Sequence, residues 1–150
     1  MSETKFTPGP WRWTFNQEHK SVYLVGGVPQ FDKTVMQFHR WGMSGAVPAF
    51  NDKITGNVWN IMERLCDKPE WLSPFEGREH HIKWCANVVH PDACLIAAAP
   101  DMYEELECAR DVFRFYQSHH EFKGGSEKAI RNKEIADRID RLLAKARGEV

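Results

Sequence analysis

Residues 76–84, EGREHHIKW, bring together side chains that bind anions, bind metals or transfer protons. Arg78 is followed by Glu79 and by the adjacent pair His80 and His81. A guanidinium binds phosphate or carboxylate through paired hydrogen bonds, and an imidazole acts as a metal ligand or as a proton carrier near neutral pH. Three kinds of site therefore have to be weighed: a metal site, a catalytic pair and a binding surface.

A zinc site needs about four nitrogen, sulfur or oxygen ligands in a tetrahedral arrangement. On paper, five residues offer such ligands: His80, His81, Cys85, His90 and Cys94. Their spacing matches neither a zinc finger nor the H-E-x-x-H helix, and adjacent residues point in different directions on a helix or a strand. We therefore predict no metal ligands and no cofactor.

Glu79 beside two histidines has the composition of an acid–base pair, although the sequence cannot show a substrate against it. The segment GMSG (residues 42–45) lacks the G-x-S-x-G pattern of hydrolases. The chain also lacks the G-x-x-x-x-G-K-[ST] loop that binds nucleotide phosphates. We therefore predict no catalytic residues, and keep a metal-assisted hydrolase as an alternative function.

Arginines and aromatic rings near glycines favour binding without chemistry, because guanidinium groups grip anions and aromatic faces stack on bases or pack in protein interfaces. The predicted ligand- or partner-binding residues are Arg40, Trp41, Arg78, His80, His81 and Trp84. The alternative is structural: the two tryptophans then belong to the core, and Arg78 pairs with Glu79 or Asp92 on the surface.

Composition excludes several classes of protein. The net charge is −1 over 150 residues, so the basic footprint of a duplex-binding protein is absent, and no duplex nucleic acid is expected as a partner. No run of apolar residues is long enough to span a membrane, and the first ten residues have no apolar core typical of a signal peptide. Residues 123–150 hold eight Lys/Arg and five Asp/Glu.

Periodicity predicts an α+β fold, with a small N-terminal antiparallel β-sheet packed by helices from the C-terminal half. Strands are predicted at residues 11–15, 21–27 and 33–41, and the aromatic side chains of the first of them are expected to be half-buried against the helices. Residues 42–51 are predicted to form a loop and residues 56–67 a short helix.

The C-terminal half is predicted to be helical. Pro91 and Pro100 each suit the first turn of a helix, and Ser126 suits the cap of a last, charged helix. That helix carries an apolar stripe of Ala136, Ile139, Leu143 and Ala146. We predict one α+β domain over residues 1–122, with residues 123–150 packed on its body or used in self-association, which would make a homodimer.

Three blocks of the sequence together resemble a group of small accessory proteins encoded by tailed bacteriophages and prophages. They are TPGPW (7–11), RWGMSGAVPAFN (40–51) and GREHHIKW…HPDACLIAAAPDMYEEL (77–106). The chain departs from the usual pattern of that group at Cys85 and Cys94, where other small or apolar residues are expected.

The resemblance implies the kind of gene that encodes the protein and the cell in which it acts, but it implies no reaction or binding mechanism. Many proteins of this size from phage accessory genes counter bacterial defence in the cytoplasm of the infected host. It therefore implies a non-catalytic protein that binds a host protein and inhibits a defence system, for example as an anti-CRISPR. A sponge for a small signalling nucleotide is the first alternative.

Overall fold

The computed structural model describes residues 6–28, 31, 33–41, 45–52, 61–83 and 86–149, with only the backbone of Trp41. The chain forms two compact units, Met1–Ile96 and Ala97–Val150, and each is described by itself. Strands occupy the first unit and two long helices the second, so the predicted α+β class is confirmed. Within the described residues, none of the helices is both long and apolar enough to cross a bilayer.

The first unit is built on a five-stranded antiparallel sheet in which each strand pairs with the next along the chain. Its strands are β1 (Trp11–Asn16), β2 (Ser21–Gly26), β3 (Lys33–Trp41), β4 (Gly45–Asn51) and β5 (Met62–Arg64). The three predicted strands are confirmed as β1 to β3. Each antiparallel pair joins strands that are neighbours in sequence, so no crossover connection is needed.

Two predictions were wrong in this region. The described part of the expected loop at residues 42–51 is β4, and the described part of the expected helix at 56–67 contains β5 followed by a 3₁₀ turn at Leu65–Asp67. Residues 42–44 and 56–60 of these two segments lie outside the described residues. Proline disfavours central strands because it has no N–H to donate. Pro48 is accommodated because it pairs with Phe38 of β3, while pairing with β5 begins only at Ala49. Among the described residues, β5 therefore does not pair with β4 at Pro48.

A second, two-stranded sheet is formed by β6 (Leu72–Pro74) and β7 (Ala86–Val88), and helix α1 (Pro91–Ala97) follows it. Pro91 and Asp92 occupy the first turn of α1, as their preferences predict. The connection from β6 to β7 contains the EGREHH segment, so that segment lies on a turn.

A buried carboxylate joins the start of the chain to α1. The Thr7 N–H donates to Asp92 Oδ1, and the Thr7 hydroxyl donates to Oδ2, each at 2.7 Å. Thr7 is 2% exposed and Asp92 is 0% exposed. Because a buried charge is costly unless it is hydrogen-bonded, this two-bond contact ties segments 85 residues apart in sequence. We call it the Thr7–Asp92 clamp.

The TPGPW segment is also bound to the sheet. Trp11 Nε1–H donates to the Thr7 carbonyl at 2.9 Å. On β2, a methyl group added at Gly26 would lie 2.6 Å from the Pro8 carbonyl oxygen, which is closer than atoms tolerate. Glycine at position 26 therefore allows the segment to lie against β2 and to present Thr7 to Asp92.

His90 extends the clamp to β4. The Asp92 N–H donates to His90 Nδ1 at 3.2 Å, so Nδ1 is the acceptor, and Nε2–H donates to the Asn51 carbonyl at 3.2 Å. The ring stacks on Phe50 at a centroid distance of 4.7 Å and meets the edge of Trp71 at 4.6 Å. Burial lowers the pKa of His90, because desolvation disfavours the imidazolium form.

The second unit is a pair of helices, α2 (Ala99–Phe122) and α3 (Ser126–Ala146), which pack against each other. Gly124, with φ of +73°, makes the reversal between them. The predicted stripe on α3 is confirmed at Ala136, Ile139 and Leu143, which are buried, whereas Ala146 is exposed. The domain boundary predicted between residues 122 and 123 stays a prediction.

Charged groups fix how α2 and α3 face each other. One Arg114 nitrogen donates to Asp137 at 2.6 Å and to Asp140 at 2.7 Å, and these carboxylates raise the pKa of the guanidinium. At the far end, Arg147 donates to the Tyr103 hydroxyl at 3.1 Å. These contacts define the side of α2 that faces α3.

Removing the Thr7 hydroxyl should destabilise the first unit. Thr7→Val preserves shape but leaves Asp92 Oδ2 buried without its donor, which should cost about 1–3 kcal/mol of unfolding free energy. Urea denaturation followed by tryptophan fluorescence measures this unit alone, because all six tryptophans precede residue 97. Thr7→Ser, which keeps the hydroxyl, is the control. Equal losses in both variants would show that the hydroxyl does not matter.

Protonation of His90 should destabilise the same unit in mild acid. Its folded pKa lies below the unfolded value of 6.5, so the unfolded chain binds the proton more readily. This contribution to stability should be complete above pH 6.5 and should be lost as pH falls from there towards the folded pKa.

The matched protein is His90→Gln, which keeps a donor for Asn51 but does not titrate. The difference in unfolding free energy between the wild type and His90→Gln should shrink as pH falls. The contributions of the six other histidines to the pH dependence cancel in this difference, because both proteins contain them. A difference that stays constant with pH would contradict a neutral, buried His90.

Neighbouring leucines on α3 offer an internal comparison of buried and exposed side chains. Leu143 is 1% exposed and Leu142 is 51% exposed. Leu143→Ala should cost about 2–5 kcal/mol, as for other buried leucines, whereas Leu142→Ala should cost much less. Thermal melts followed by far-ultraviolet circular dichroism would detect both. Equal costs would mean that α3 packs through a different face.

Candidate functional site

One face of the five-stranded sheet carries a row of large apolar side chains. Side chains alternate between the two faces of a strand, and the register sets Trp13 beside Leu24, Leu24 beside Met36 and Met36 beside Phe50. Two residues further along each strand, the register sets Phe15 beside Val22 and Phe38 beside Pro48. These two rows lie on the same face.

The cover on this face ends partway across it. Leu24 and Phe50 are 6% and 4% exposed, with Phe50 under the rings of Trp71 and His90. By contrast, Trp13 is 59% exposed, Phe15 60% and Phe38 52%. We call Trp13, Phe15, Val22 and Phe38 the aromatic face. Isolated exposed apolar residues are common, but contiguous ones mark sites of interaction.

The expectation that the aromatic side chains of β1 are half-buried was wrong for Trp13 and Phe15 and fits only Trp11. The physical reason is position: β1 is the edge strand, and its outer two aromatic residues lie beyond the part of the face that Trp71 and His90 cover. Alternation in the sequence showed which side chains share a face, but it could not show where the cover stops.

Positive charge lies at one end of the aromatic face. Arg40 is two residues after Phe38 on β3, so its side chain projects from the same face, and it is exposed. At the β1–β2 turn, Glu18 and Lys20 are both exposed and balance each other. Arg40, one of the predicted binding residues, therefore gives the aromatic face a cationic rim.

A shallow cleft of about 320 Å³ lies where β2 and β3 separate. Among the described residues, their pairing ends at Tyr23 and Gln37, although β1–β2 and β3–β4 continue to pair beyond that point. The Gln37 amide lies 2.7 Å from His39 Nε2. Ser21 Oγ is buried and has no hydrogen-bond partner among the residues that the structure describes. The cleft is lined by Lys20, Ser21, Val22, Tyr23, Gln37, Phe38 and His39.

The predicted arginine–histidine corner is an exposed turn. Glu79, His80 and His81 form a 3₁₀ turn between β6 and β7, and Arg78 precedes it. Arg78 and both histidines are exposed, as the sequence predicts. The two imidazole rings lie 4.1 Å apart at an angle of 44°. None of these side chains lines the cleft between β2 and β3.

Glu79 has a local structural role in this turn. The Gly77 N–H donates to Glu79 Oε1 at 2.8 Å, with Gly77 at a φ of +76° that glycine tolerates. Hydrogen bonds from its own backbone N–H and from that of Gly77 lower the pKa of Glu79. A carboxylate held ionised in this way is a poor proton donor at neutral pH.

The six predicted binding residues lie on separate elements. Arg40 and Trp41 end β3, whereas Arg78, His80 and His81 lie on the β6–β7 connection. Trp84 and the side chain of Trp41 fall outside the described residues. Their joint role in binding therefore stays a prediction, and of the members whose side chains the structure describes, only Arg40 adjoins the aromatic face.

Within the part of the chain that the structure describes, no group of three or more His, Cys, Asp or Glu side chains is arranged to hold a metal ion. Both ring nitrogens of His90 are engaged in hydrogen bonds. Cys94 is exposed and directs its thiol to the Val88 carbonyl at 3.6 Å.

Comparison with known proteins supplies the family. None of the curated proteins and none of the solved structures matches the chain. A family model described as Salmonella phage P22 protein Y8K6 matches residues 1–150, which is the whole sequence. The chain therefore belongs to the family of Salmonella phage P22 protein Y8K6 and is a phage protein.

Proposed function

We propose that this phage protein is a non-catalytic accessory protein that binds a host protein through its aromatic face and inhibits a bacterial defence system. The exposure of Trp13, Phe15 and Phe38 on one side of a hydrogen-bonded sheet is the observation that supports this proposal most. Tryptophan and other aromatic residues supply much of the binding energy in protein interfaces. The defence system as target rests on the phage setting alone.

The chemistry of the face indicates the kind of partner. Its side chains are apolar, and the shallow cleft between β2 and β3 runs between Val22 and Phe38. Arg40 at its end favours a carboxylate on the partner. The partner is therefore a host protein of the infected cytoplasm with an exposed apolar surface next to an acidic residue. A rigid sheet also loses little conformational entropy on binding.

The cleft between β2 and β3 supports a second candidate, sequestration of a small nucleotide. Lys20 and His39 could attract a phosphate, and Tyr23 offers an aromatic ring. A volume of about 320 Å³ is near the lower limit for ligand pockets. The cleft shares Val22 and Phe38 with the aromatic face.

The aromatic-face proposal predicts which substitutions abolish binding. A host protein captured from lysate by the wild type is purified, and its affinity is measured by calorimetry against single variants. Phe15→Arg and Phe38→Glu should each raise Kd by about thirtyfold or more, as expected for an interface hot spot that contributes about 2 kcal/mol of binding free energy. Arg40→Glu should also raise Kd, but by less than the two aromatic-face substitutions, because Arg40 lies at the end of the face.

The control is the double variant Arg78→Ala/His81→Ala, which changes the exposed corner and leaves the aromatic face intact. If the aromatic face alone carries binding, this variant should bind like the wild type, whereas weaker binding would support the predicted role of Arg78 and His81. Near-ultraviolet circular dichroism checks that every variant is folded. If the corner variant loses binding while Phe15→Arg keeps it, the aromatic face is not the binding surface. Thermal stabilisation by a nucleotide, lost on Lys20→Ala, would favour the cleft instead.

A further inference from the structure

Helix α2 carries a second apolar stripe in addition to the side that faces α3. The stripe consists of Cys108, Val112, Phe115, His119 and Phe122, whose spacing alternates between four and three residues. Alternating spacings of three and four are the pattern of a coiled-coil seam. On a helix of 3.6 residues per turn, these five positions form one continuous band.

This band lies on the side of α2 opposite to α3. Arg110 and Arg114 contact Asp140 of α3. Tyr103 contacts Arg147, the residue that follows α3. Val112 and His119 lie about half a turn around the helix from those positions. The apolar stripe of α3 is buried in the α2–α3 pair and is not available for another partner.

The band is open to solvent. Val112 is 51% exposed, Phe115 67% and Phe122 92%. Phe115 and His119 are already arranged as a stacked pair, with ring centroids 6.3 Å apart and an angle of 18°. Exposure of several aromatic side chains along one side of a long helix costs free energy, and association would bury this apolar surface away from water.

We propose that two copies of this chain associate through this band, with their α2 helices antiparallel. The charges on α2 select the direction. Continuing the same spacing towards the start of α2 reaches Glu105 and Asp101, both exposed carboxylates. A parallel pair would set each carboxylate against its own copy, and like charges in contact repel.

An antiparallel pair avoids this repulsion. The apolar halves of the two bands, residues 108–122, face each other about a two-fold axis near Phe115. The acidic first turns project beyond the ends of the contact. Since the band lies on the side of α2 opposite α3, the assembly is a row of four helices in the order α3–α2–α2–α3, in which neighbouring helices are antiparallel.

Association is tested on the full chain by sedimentation equilibrium from micromolar to millimolar concentration. The wild type should reach twice the mass of the monomer. Phe115→Arg should shift the midpoint of association at least tenfold upward in concentration or abolish it. Phe15→Arg, which changes an equally exposed phenylalanine of the first unit, should leave the midpoint unchanged.

A wild type that stays monomeric over this range would overturn the proposal. So would a dimer that Phe115→Arg does not weaken. A dimer that Phe15→Arg dissociates would mean that the copies meet through the aromatic face. Circular dichroism checks that α2 and α3 remain helical in each variant.

Direction is tested with single cysteines and a short bismaleimide cross-linker. In a background of Cys66→Ser, Cys85→Ser and Cys94→Ser, one protein keeps Cys108 alone, and a second carries Cys108→Ser with Ser118→Cys. In the antiparallel pair only the cysteine at position 118 lies near the axis, so only the second protein should form covalent dimers. Efficient cross-linking through Cys108 would show a parallel pair and overturn the predicted direction.

Discussion

The Asp92 carboxylate is fully buried, and the fold of the first unit depends on the hydrogen bonds that this carboxylate accepts. Thr7 donates both of its hydrogen-bonding groups to this carboxylate. The N–H of Asp92 binds His90, which in turn binds the backbone of β4. The start of the chain, the beginning of α1 and a strand of the sheet are thus held by one connected set of hydrogen bonds. Removing any member leaves a buried polar group without its partner.

This set of hydrogen bonds also determines which part of the sheet is covered. His90, held by Asn51 and Asp92, stacks on Phe50 and brings Trp71 against it. That corner of the sheet is closed, and the cover does not extend to Phe15 and Phe38. The clamp therefore fixes a rigid frame for the exposed aromatic side chains. A frame of this kind suits a binding surface, because little order has to be gained when a partner arrives.

Much of this architecture could be predicted from the sequence. Period-two patterns located β1 to β3, and Pro91 and Pro100 lie in the first turns of α1 and α2, because helix boundaries have local signals. The prediction that Ser126 caps the last helix was wrong: Ser126 is the first residue of α3, Gly125 is the N-cap, and no side-chain cap bond forms among the described residues. The strand β4 was missed because Pro48 and the nearby glycines are typical of loops, and only the register with β3 and β5 shows why proline is accommodated. Local residue preference was overridden there by tertiary pairing.

The candidate site was harder to predict than the fold. The sequence predicted that Trp13 and Phe15 would be covered, and this was wrong. Alternation identifies side chains that share one face of a strand, but it carries no information about which element packs on that face. The pairing of Thr7 with Asp92 had no local signal, because the two residues are 85 positions apart. Both belong to the TPGPW and HPDA motifs on which the resemblance to phage proteins rested. Their direct contact gives a physical reason for the two motifs to occur together.

Amide hydrogen exchange at Thr7 tests the clamp most directly. Thr7 lies outside every strand and helix, so its amide has slow exchange only if the bond to Asp92 persists in solution. We predict that the Thr7 amide exchanges as slowly as the paired amides of β2 and β3 at neutral pH. This protection should be lost in Asp92→Ala. A Thr7 amide that exchanges as fast as the exposed turn at residues 17–20 in the wild-type protein would contradict it.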